Sequence, residues 1–194
     1  MIMLYDFLTF ILKIYIMLLY ILSDLHISSE EQKIPEWIIE KVKSCDMILI
    51  NGDLTSKRVI DELCLFSKCL IVRGNCDTLD LPKTNVFDVN GIKCGQIHGD
   101  GVSPRGDLDQ LYEIASSLDV DVLFSGHTHN FSVHEYKKKL FINPGSATGS
   151  PGLISDKEIE TIAKVLFSDE IIFVQILSKD EVLVDLKFSK DLFK

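Results

Sequence analysis

Short apolar runs and longer amphipathic stretches alternate along the chain. The run Met17–Leu22 ends at Ser23 and Asp24, and the run Met47–Ile50 leads directly into Asn51-Gly52-Asp53. Apolar runs bounded by Gly, Asn and Asp are typical of buried strands, whereas apolar positions three and four apart are typical of helices. The pattern predicts helices at 30–44, 57–67 and 108–118, and strands at 17–22, 47–50, 69–72, 86–89, 92–97, 120–124, 132–136, 139–142, 163–167, 171–177 and 181–188.

The order of these elements predicts an α/β fold. Strands and helices alternate in the first half of the chain, which is typical of parallel strands joined by helical crossovers. The second half is rich in hairpins and predicts a second, more antiparallel sheet. We therefore expect two facing, mixed β-sheets flanked by helices.

Residues 1–16 form an apolar N-terminal extension that is shorter than the roughly 20 residues a membrane-spanning helix requires. The polar residues Asp6, Thr9 and Lys13 fall on one helical face, which suits a helix that docks on a partner or a membrane surface. The alternative is an upstream start codon, with the natural protein beginning at Met17. We favour the second interpretation, and expect membrane contact only if residues 1–16 are expressed.

Length, charge and cysteine content narrow the class of protein. A chain of 194 residues suits one domain, which we place at 17–194. The formal charge of −9 argues against broad nucleic-acid binding, which needs a positive surface. The 5 cysteines include no CxxC pair, so we expect a reduced, cytoplasmic protein in which most cysteines are small core residues. A homo-oligomer is compatible with this composition.

Metal-ligand side chains follow several of the predicted strands. Parallel strands bring their carboxyl ends to one edge of a sheet, so residues distant in sequence converge there. Two histidines two positions apart in extended backbone would also point the same way. Imidazole, carboxylate and amide donors suit Mn²⁺, Fe²⁺, Ni²⁺, Zn²⁺ or Mg²⁺. The candidate ligands are Asp24, His26, Asp53, Asn75, His98, His127 and His129.

This set has more donors than one catalytic ion can use, so two ions that share a bridging carboxylate account for it better. Such a pair, about 3.5–4 Å apart, acidifies a bridging water to hydroxide and clamps the attacking and leaving oxygens of an ester. Taken singly, each Asp or Asn is better explained by a turn than by metal binding, and it is their joint position after strands that favours a metal site. His134 and Cys76 are interpreted as structural residues.

In order, the motifs Asp24-Leu25-His26, Gly52-Asp53, Gly74-Asn75, His98-Gly99 and Gly126-His127-Thr128-His129 resemble those of calcineurin-like metallophosphoesterases. Asn143-Pro144-Gly145-Ser146 and Gly74-Asn75-Cys76-Asp77 are similar to the small YfcE-type phosphodiesterases. The resemblance covers about residues 17–188 and implies a four-layer αββα sandwich.

The resemblance also implies roles for these residues. Asp24, His26 and His129 would hold a first ion, Asn75, His98 and His127 a second, and Asp53 would bridge them. Asn75, Asp53 and His98 would be catalytic, with Mn²⁺ as the leading metal. Asn75 would also turn an amide N–H toward substrate phosphate. Apart from the resemblance, Arg73 and Arg105 are candidate phosphate contacts, although either is explained as easily by a surface charge.

One departure from the wider superfamily concerns Cys76, which stands where many members have a histidine that contacts phosphate. A thiol donates a proton poorly near neutral pH. The leaving group would then be protonated by water, by Asp77 acting indirectly, or by another residue. We therefore predict turnover of activated phosphodiesters and poor turnover of alkyl monoesters.

The sequence thus predicts a metal-dependent phosphodiesterase that hydrolyses a small substrate by in-line attack of a metal-bridging hydroxide on phosphorus. The main alternative is a non-catalytic or weakly catalytic interaction scaffold of the same fold, as in the retromer complex. A nuclease would need a basic groove for its polymer, which is not apparent in this acidic chain. A third alternative is a phosphomonoesterase. The sequence distinguishes it from a phosphodiesterase only through the argument on Cys76.

Overall fold

The residues that the structure describes form two sheets, which are built from eleven strands. A computed structural model describes residues 16–151 and 159–194. The strands are β1 (Met17–Leu22), β2 (Met47–Ile50), β3 (Lys68–Ile71), β4 (Thr84–Val89), β5 (Ile92–Ile97), β6 (Val122–Phe124), β7 (Phe131–Tyr136), β8 (Lys139–Pro144), β9 (Ile162–Phe167), β10 (Ile171–Leu177) and β11 (Val182–Ser189). Sheet A is six-stranded with the order β11-β10-β9-β1-β2-β3, and sheet B is five-stranded with the order β4-β5-β6-β8-β7.

Helices cover the outer faces of both sheets. Helices α1 (Glu36–Val42) and α2 (Lys57–Leu63) pack on sheet A, where Ile38 and Val59 share one buried cluster with Ile48 of β2. Helix α3 (Leu108–Ser117) packs on sheet B through a cluster that includes Ala115 and Leu123. The layers therefore run helix, sheet, sheet, helix, which confirms the predicted αββα sandwich.

The largest buried cluster fills the space between the two sheets. Successive strand residues point to opposite faces, so Leu19 and Leu49 face sheet B, while their neighbours face the helices. Phe124 of β6 is fully buried and stacks on Phe87 of β4 with ring centroids 6.5 Å apart. This apolar layer fixes how the two sheets sit against each other.

The topology differs from the sequence-based expectation in one respect. We expected the second half of the chain to form a sheet of its own, and this is wrong because β9, β10 and β11 join sheet A. β9 pairs antiparallel with β1, placing Phe167 opposite Met17. β2 already occupies the other edge of β1. A strand buried on both faces needs partners on both edges, and β9 is the second partner.

Both helices on sheet A are shorter than predicted. The first begins at Glu36 rather than at residue 30, because Pro35 precedes it and a residue before proline avoids helical backbone. The stretch before Pro35 is instead a loop in which the Gln32 side chain accepts from the amides of Ser28 and Ser29. The second ends at Leu63 rather than at residue 67, where the chain turns into β3.

The interpretation of residues 1–16 falls almost wholly outside the described residues, which start at Ile16. In the two stretches that the structure covers, no helix is both long enough and apolar enough to cross a membrane. Of the cysteines, Cys94 is buried, Cys45 and Cys69 pack partly against the core, and Cys64 and Cys76 are exposed.

Candidate metal centre

The predicted ligand side chains gather at one edge of the sandwich. β1, β2 and β3 run parallel in sheet A, and β5, β6 and β8 run parallel in sheet B, so the loops after them emerge together. Asp53, in the loop after β2, lies at the middle of the cluster. Its Oδ2 atom is 3.7 Å from His26 Nε2 and 3.5 Å from His98 Nε2.

A first group of donors surrounds the carboxylate of Asp24. His129 Nε2 lies 3.4 Å from Asp24 Oδ1, and His26 Nε2 lies 4.0 Å from the same oxygen. The two imidazole Nε2 atoms are 3.2 Å apart. These three residues offer ligand atoms that all lie within 4.8 Å of one another.

A second group of donors lies on the other side of Asp53. His98 Nε2 is 3.1 Å from the amide oxygen of Asn75. The His127 ring meets the His98 ring edge-on, with centroids 5.0 Å apart. The structure therefore brings the predicted ligands together on either side of Asp53, with His127 joined to the second group through its ring contact with His98.

Several of these side chains sit on left-handed backbone. Asp24, His26 and Asp53 have φ values of 53°, 48° and 54°, and His127 and His129 have values of 66° and 59°. Such values are uncommon outside glycine and cluster at functional sites. The expectation that His127 and His129 point one way from extended backbone is wrong. The turn sends His127 toward His98 and His129 toward His26.

Two glycines allow the loops to approach closely. A Cβ atom on Gly74 would lie 2.5 Å from the amide nitrogen of Asp53, and would also overlap its carboxylate. A Cβ atom on Gly126 would lie 3.1 Å from Asp24 Oδ2 and would overlap the Ser23 hydroxyl. The loop after β3 can therefore cross the loop after β2, and the loop after β6 can meet the loop after β1, only without a side chain at these positions.

Main-chain carbonyls orient two of the imidazoles. His98 Nδ1 donates to the Asn51 carbonyl at 2.7 Å, and His129 Nδ1 donates to the Ser150 carbonyl at 3.1 Å. Because Nδ1 keeps its proton for the carbonyl, the neutral form of either ring carries its lone pair on Nε2, and in both rings Nε2 faces the carboxylates. This is the tautomer that a histidine needs in order to bind a metal ion.

The electrostatics of the two carboxylates differ. Burial alone would raise the pKa of Asp53, but the contact with His98 and the hydrogen bond from the Cys76 amide hold it well below its usual range. Burial raises the pKa of Asp24, although His98 and His129 act in the opposite direction. Burial and repulsion from His98 lower the pKa of His127 to about 4, so this ring is neutral near pH 7.

The surroundings of one carboxylate oxygen indicate that this donor set fits a cation. Among the described residues, Asp24 Oδ1 is a buried side-chain oxygen with no hydrogen-bond partner. An unpartnered carboxylate oxygen in a buried site costs free energy, and a bound cation removes that cost. The lone pair of His129 Nε2 faces the same point, so the residues present fit a divalent ion.

Further residues brace the ligand loops. Asp77 accepts from the amides of Asp53, Thr55 and Gly74 at 2.7–2.8 Å, so both of its oxygens are turned toward the main chain. This orientation does not suit a proton donor to the leaving group, which was one of the sequence-based options. Asp77 lies in the Gly74-Asn75-Cys76-Asp77 motif, but nothing in its spacing predicts this bracing role.

The Asn143-Pro144-Gly145-Ser146 segment braces the centre from sheet B. The Asn143 amide donates to the Gly126 carbonyl at 2.8 Å, and the Ser146 hydroxyl donates to the Asp24 carbonyl at 2.8 Å. In the sequence this motif is only a point of resemblance to the YfcE-type phosphodiesterases. The structure gives it a physical role, because it ties the loops after β6 and β1 together.

The open side of the cluster carries the remaining candidates. Asn75 and Cys76 are exposed, and the Asn75 amide nitrogen lies 3.3 Å from Cys76 Sγ. Arg73 is exposed, with its amide bonded to the Pro82 carbonyl. Arg105 donates to the His127 carbonyl at 3.2 Å and so supports a ligand loop. The roles of Asn75 and Arg73 toward phosphate stay predictions.

Comparisons with known proteins agree with this geometry. The calcineurin-like phosphoesterase superfamily domain matches residues 17–166. A probable metallophosphoesterase of Methanocaldococcus jannaschii is 39% identical over 132 residues, which is 68% of this chain and 69% of that protein.

Solved structures of Vps29 are similar as well. Vps29 of Entamoeba histolytica complexed with zinc has a TM-score of 0.79 and 27% identity, over 89% of this chain and 99% of that one. Vps29 of Chaetomium thermophilum complexed with a cyclic peptide has a TM-score of 0.73 and 28% identity, over 90% of this chain and 98% of that one. Because the family match starts at the first residue of β1 and spans every loop that carries a candidate ligand, the chain belongs to the calcineurin-like phosphoesterase superfamily.

Proposed function

We propose that this protein is a metal-dependent phosphodiesterase with a binuclear centre. The observation that carries the proposal is the position of Asp53, whose carboxylate lies within 3.7 Å of His26 and 3.5 Å of His98. A single carboxylate between two groups of donors is what a pair of ions requires. Asp24, His26 and His129 would hold one ion, and Asn75, His98 and His127 the other.

Divalent ions bound there would supply a water nucleophile near neutral pH and neutralise charge on the phosphate. Mn²⁺ is the first choice, because oxygen and imidazole donors without an obligatory thiolate suit it, with Ni²⁺, Fe²⁺, Zn²⁺ and Mg²⁺ as alternatives. The chain itself orients the ligands. His98 and His129 are fixed by carbonyls, and Asp53 is fixed by the amide of Cys76.

Cys76 supports the preference for activated diesters. Partial desolvation and the neighbouring Asp53 raise the pKa of the Cys76 thiol to about 11, so it is a weak acid toward a departing alkoxide. A good leaving group needs no proton donor. A phosphate monoester carries about −1.5 to −2 charges near pH 7, more than a diester, and this carboxylate-rich site suits the smaller charge.

A cavity beside the centre suits a small substrate. It has a volume of about 280 Å³ and is lined by His26 together with Lys33, Thr148, Ser150 and Glu160. Pockets for drug-sized ligands usually measure about 300–1,000 Å³. We therefore expect the organic part of the substrate to be small and polar rather than a polymer. Arg73, exposed near Asn75 in sequence, is the proposed phosphate contact.

The test is hydrolysis of an aryl phosphodiester and the matching aryl monoester by the full chain, across Mn²⁺, Ni²⁺, Fe²⁺, Zn²⁺ and Mg²⁺. We expect metal-dependent turnover, with kcat/KM for the diester higher by about tenfold or more, or about 1.4 kcal/mol. Asp53→Asn should abolish turnover, whereas Asp61→Asn on the exposed face of α2 should not change it. Equal turnover of both esters would contradict the diesterase proposal, and no turnover with any metal would contradict the enzyme proposal.

A second candidate function is a protein-interaction scaffold. The similarity to Vps29, which was solved with a bound cyclic peptide, supports it. A scaffold would bind its partner equally well as the wild type and as Asp53→Asn, and neither form would hydrolyse either ester. Catalysis remains the better supported proposal, because every candidate ligand position carries a competent donor.

A further inference from the structure

Cys76 occupies the open side of the candidate metal centre. Its backbone amide donates to Asp53 Oδ1 at 2.8 Å, which holds the residue against the carboxylate between the two donor groups. Its Sγ atom, a nitrogen of His26 and an oxygen of Asp53 all lie within 4.8 Å of one another. The side chain is exposed and contributes nothing to the apolar core, so packing does not account for its position.

The spacing of these atoms is close to that of a metal site. Ligand atoms bound to one zinc ion at about 2.0–2.3 Å in a tetrahedron stand about 3.3–3.8 Å apart. The distance of 3.7 Å between His26 Nε2 and Asp53 Oδ2 already falls in that range, and Cys76 Sγ lies within 4.8 Å of a ligand atom of each residue. The unpartnered, fully buried Asp24 Oδ1 provides an independent sign of a cation, because it lies 4.0 Å from the same His26 nitrogen.

We propose that Cys76 is a conditional ligand, which coordinates the ion shared by His26 and Asp53 when that ion is thiophilic and stays unbound when it is not. This rests on the metal centre of the proposed function. Zn²⁺, Co²⁺ and Cd²⁺ belong to the first class, and Mn²⁺ and Mg²⁺ belong to the second. On coordination the S–H bond breaks, an S–metal bond forms, and the proton leaves to the buffer. No oxidation is involved.

The consequence is that the type of metal decides whether the centre keeps an open position. With Mn²⁺ the thiol leaves that position to water and substrate. With Zn²⁺ or Cd²⁺ the thiolate fills it, which raises affinity for the ion and lowers turnover. Because of Cys76, the metal ion with the highest affinity for the centre differs from the metal ion that supports the fastest turnover.

Absorption spectroscopy of the full chain tests this without reference to activity. Titration with Co²⁺ or Cd²⁺ should produce thiolate-to-metal charge-transfer absorption in the ultraviolet that saturates with bound metal. The band should appear in the wild type and in Cys64→Ser, which changes another exposed cysteine, and should be absent in Cys76→Ser. Mn²⁺ should give no such band. Cys76→Ser should weaken Zn²⁺ binding by roughly tenfold or more and change Mn²⁺ binding by less than about twofold.

Identical Co²⁺ spectra and equal Zn²⁺ affinities in the wild type and Cys76→Ser would overturn the proposal. If Cys76→Ser fails to fold, alkylation of the wild type gives the same answer, since Zn²⁺ but not Mn²⁺ should protect Cys76 from iodoacetamide. Equal protection by both metals, or by neither, would overturn it. If the protein hydrolyses the diester with Mn²⁺ but shows no thiolate band, the proposed function holds and the proposal on Cys76 fails. If the band appears but no metal supports hydrolysis, Cys76 is a metal ligand and the proposed enzymatic function fails.

Discussion

The two sheets contribute different chemistry to the centre. Sheet A supplies both carboxylates and the amide, from the loops after β1, β2 and β3. Sheet B supplies imidazoles, His98 after β5 and His127 and His129 after β6. Only His26 is an imidazole that comes from sheet A. The donors of one sheet are therefore incomplete without those of the other, and the centre depends on how the sheets pack.

Buried polar contacts beneath the ligands hold the two sheets in register. The Asn51 side chain, after β2, donates to the Ser125 carbonyl at 2.7 Å. The Gln96 side chain, on β5, donates to the Ile50 carbonyl and to Asn51 Oδ1 at 3.0 and 2.9 Å. Buried polar groups are costly unless satisfied, so these contacts favour one alignment of the sheets. The geometry of the candidate metal centre therefore depends on inter-sheet contacts as much as on the candidate ligands themselves.

The largest effect is expected from Asp53→Asn, which removes the carboxylate that links the two halves. An amide keeps the shape but loses the charge, so we expect a loss of metal-dependent kcat/KM far above the roughly 10–100-fold that follows removal of an outer hydrogen-bond partner of a ligand. His127→Gln should lower kcat/KM by a smaller factor. Among the rings of the candidate ligands that the structure describes, the His127 ring contacts that of His98 alone. Steady-state kinetics at saturating Mn²⁺ measure both, and a larger loss in His127→Gln would contradict the central role of Asp53.

The next effect concerns the apolar layer between the sheets. Phe124→Ala should lower the free energy of unfolding by about 3–5 kcal/mol, because it leaves a cavity between β6 and β4 where Phe87 now stacks. Leu65→Ala, at a side chain that is 80% exposed, should change it by no more than about 0.5 kcal/mol. Denaturant unfolding measures both values. A small effect at Phe124 would show that the sheets are not held by this layer.

A smaller effect is expected from adding metal, since an ion bound by donors of both sheets stabilises only the folded chain. Mn²⁺ at about one hundred times its Kd should raise the free energy of unfolding by about 2.7 kcal/mol, and a chelator should reverse this. Thermal unfolding with and without metal checks the prediction. In Asp24→Asn the gain should disappear, while the metal-free variant should be more stable than the metal-free wild type, because the unpartnered Oδ1 is replaced. Full metal stabilisation of Asp24→Asn would count against Asp24 as a ligand.

The smallest effect is expected from Asp77→Asn, which acts within sheet A alone. The amide cannot accept from all of the Asp53, Thr55 and Gly74 amides, so the loops after β2 and β3 should loosen. We expect metal affinity to fall by about 10–100-fold. Calorimetric titration of Mn²⁺ measures it, with Asp80→Asn, at a nearby exposed position, as the control. If Mn²⁺ affinity falls equally in Asp77→Asn and Asp80→Asn, the cause is the loss of a negative charge and not the loss of the hydrogen bonds to Asp77.

The sequence predicts the layers of the fold, which the structure confirms, and a candidate ligand set, whose members the structure brings close together; both predictions depend on local patterns. Apolar runs that end in Gly, Asn or Asp mark β1, β2 and β3 and the ligands directly after them. Helix ends were less well predicted. Val120 reads as part of a strand, yet its amide bonds back to the Ala115 carbonyl at the end of α3, and β6 begins only at Val122.

The partners of residues distant in sequence could not be predicted. Which edge of β1 is taken by β9 depends on pairing across the whole chain, and no local pattern encodes it. The bracing roles of Asp77 and Asn143, and the inter-sheet contacts of Asn51 and Gln96, depend on hydrogen bonds between loops that meet only in the folded molecule. Polar residues of this kind look like ordinary turn or strand residues in the sequence.

The pairing of Met17 with Phe167 has a consequence for synthesis on the ribosome. A nascent chain can build sheet B early, but its first strand keeps one bare edge until the residues around Phe167 have left the exit tunnel. The carboxylates that follow this strand acquire their final positions only then. The candidate metal centre is therefore completed only after the strand around Phe167 has been synthesised.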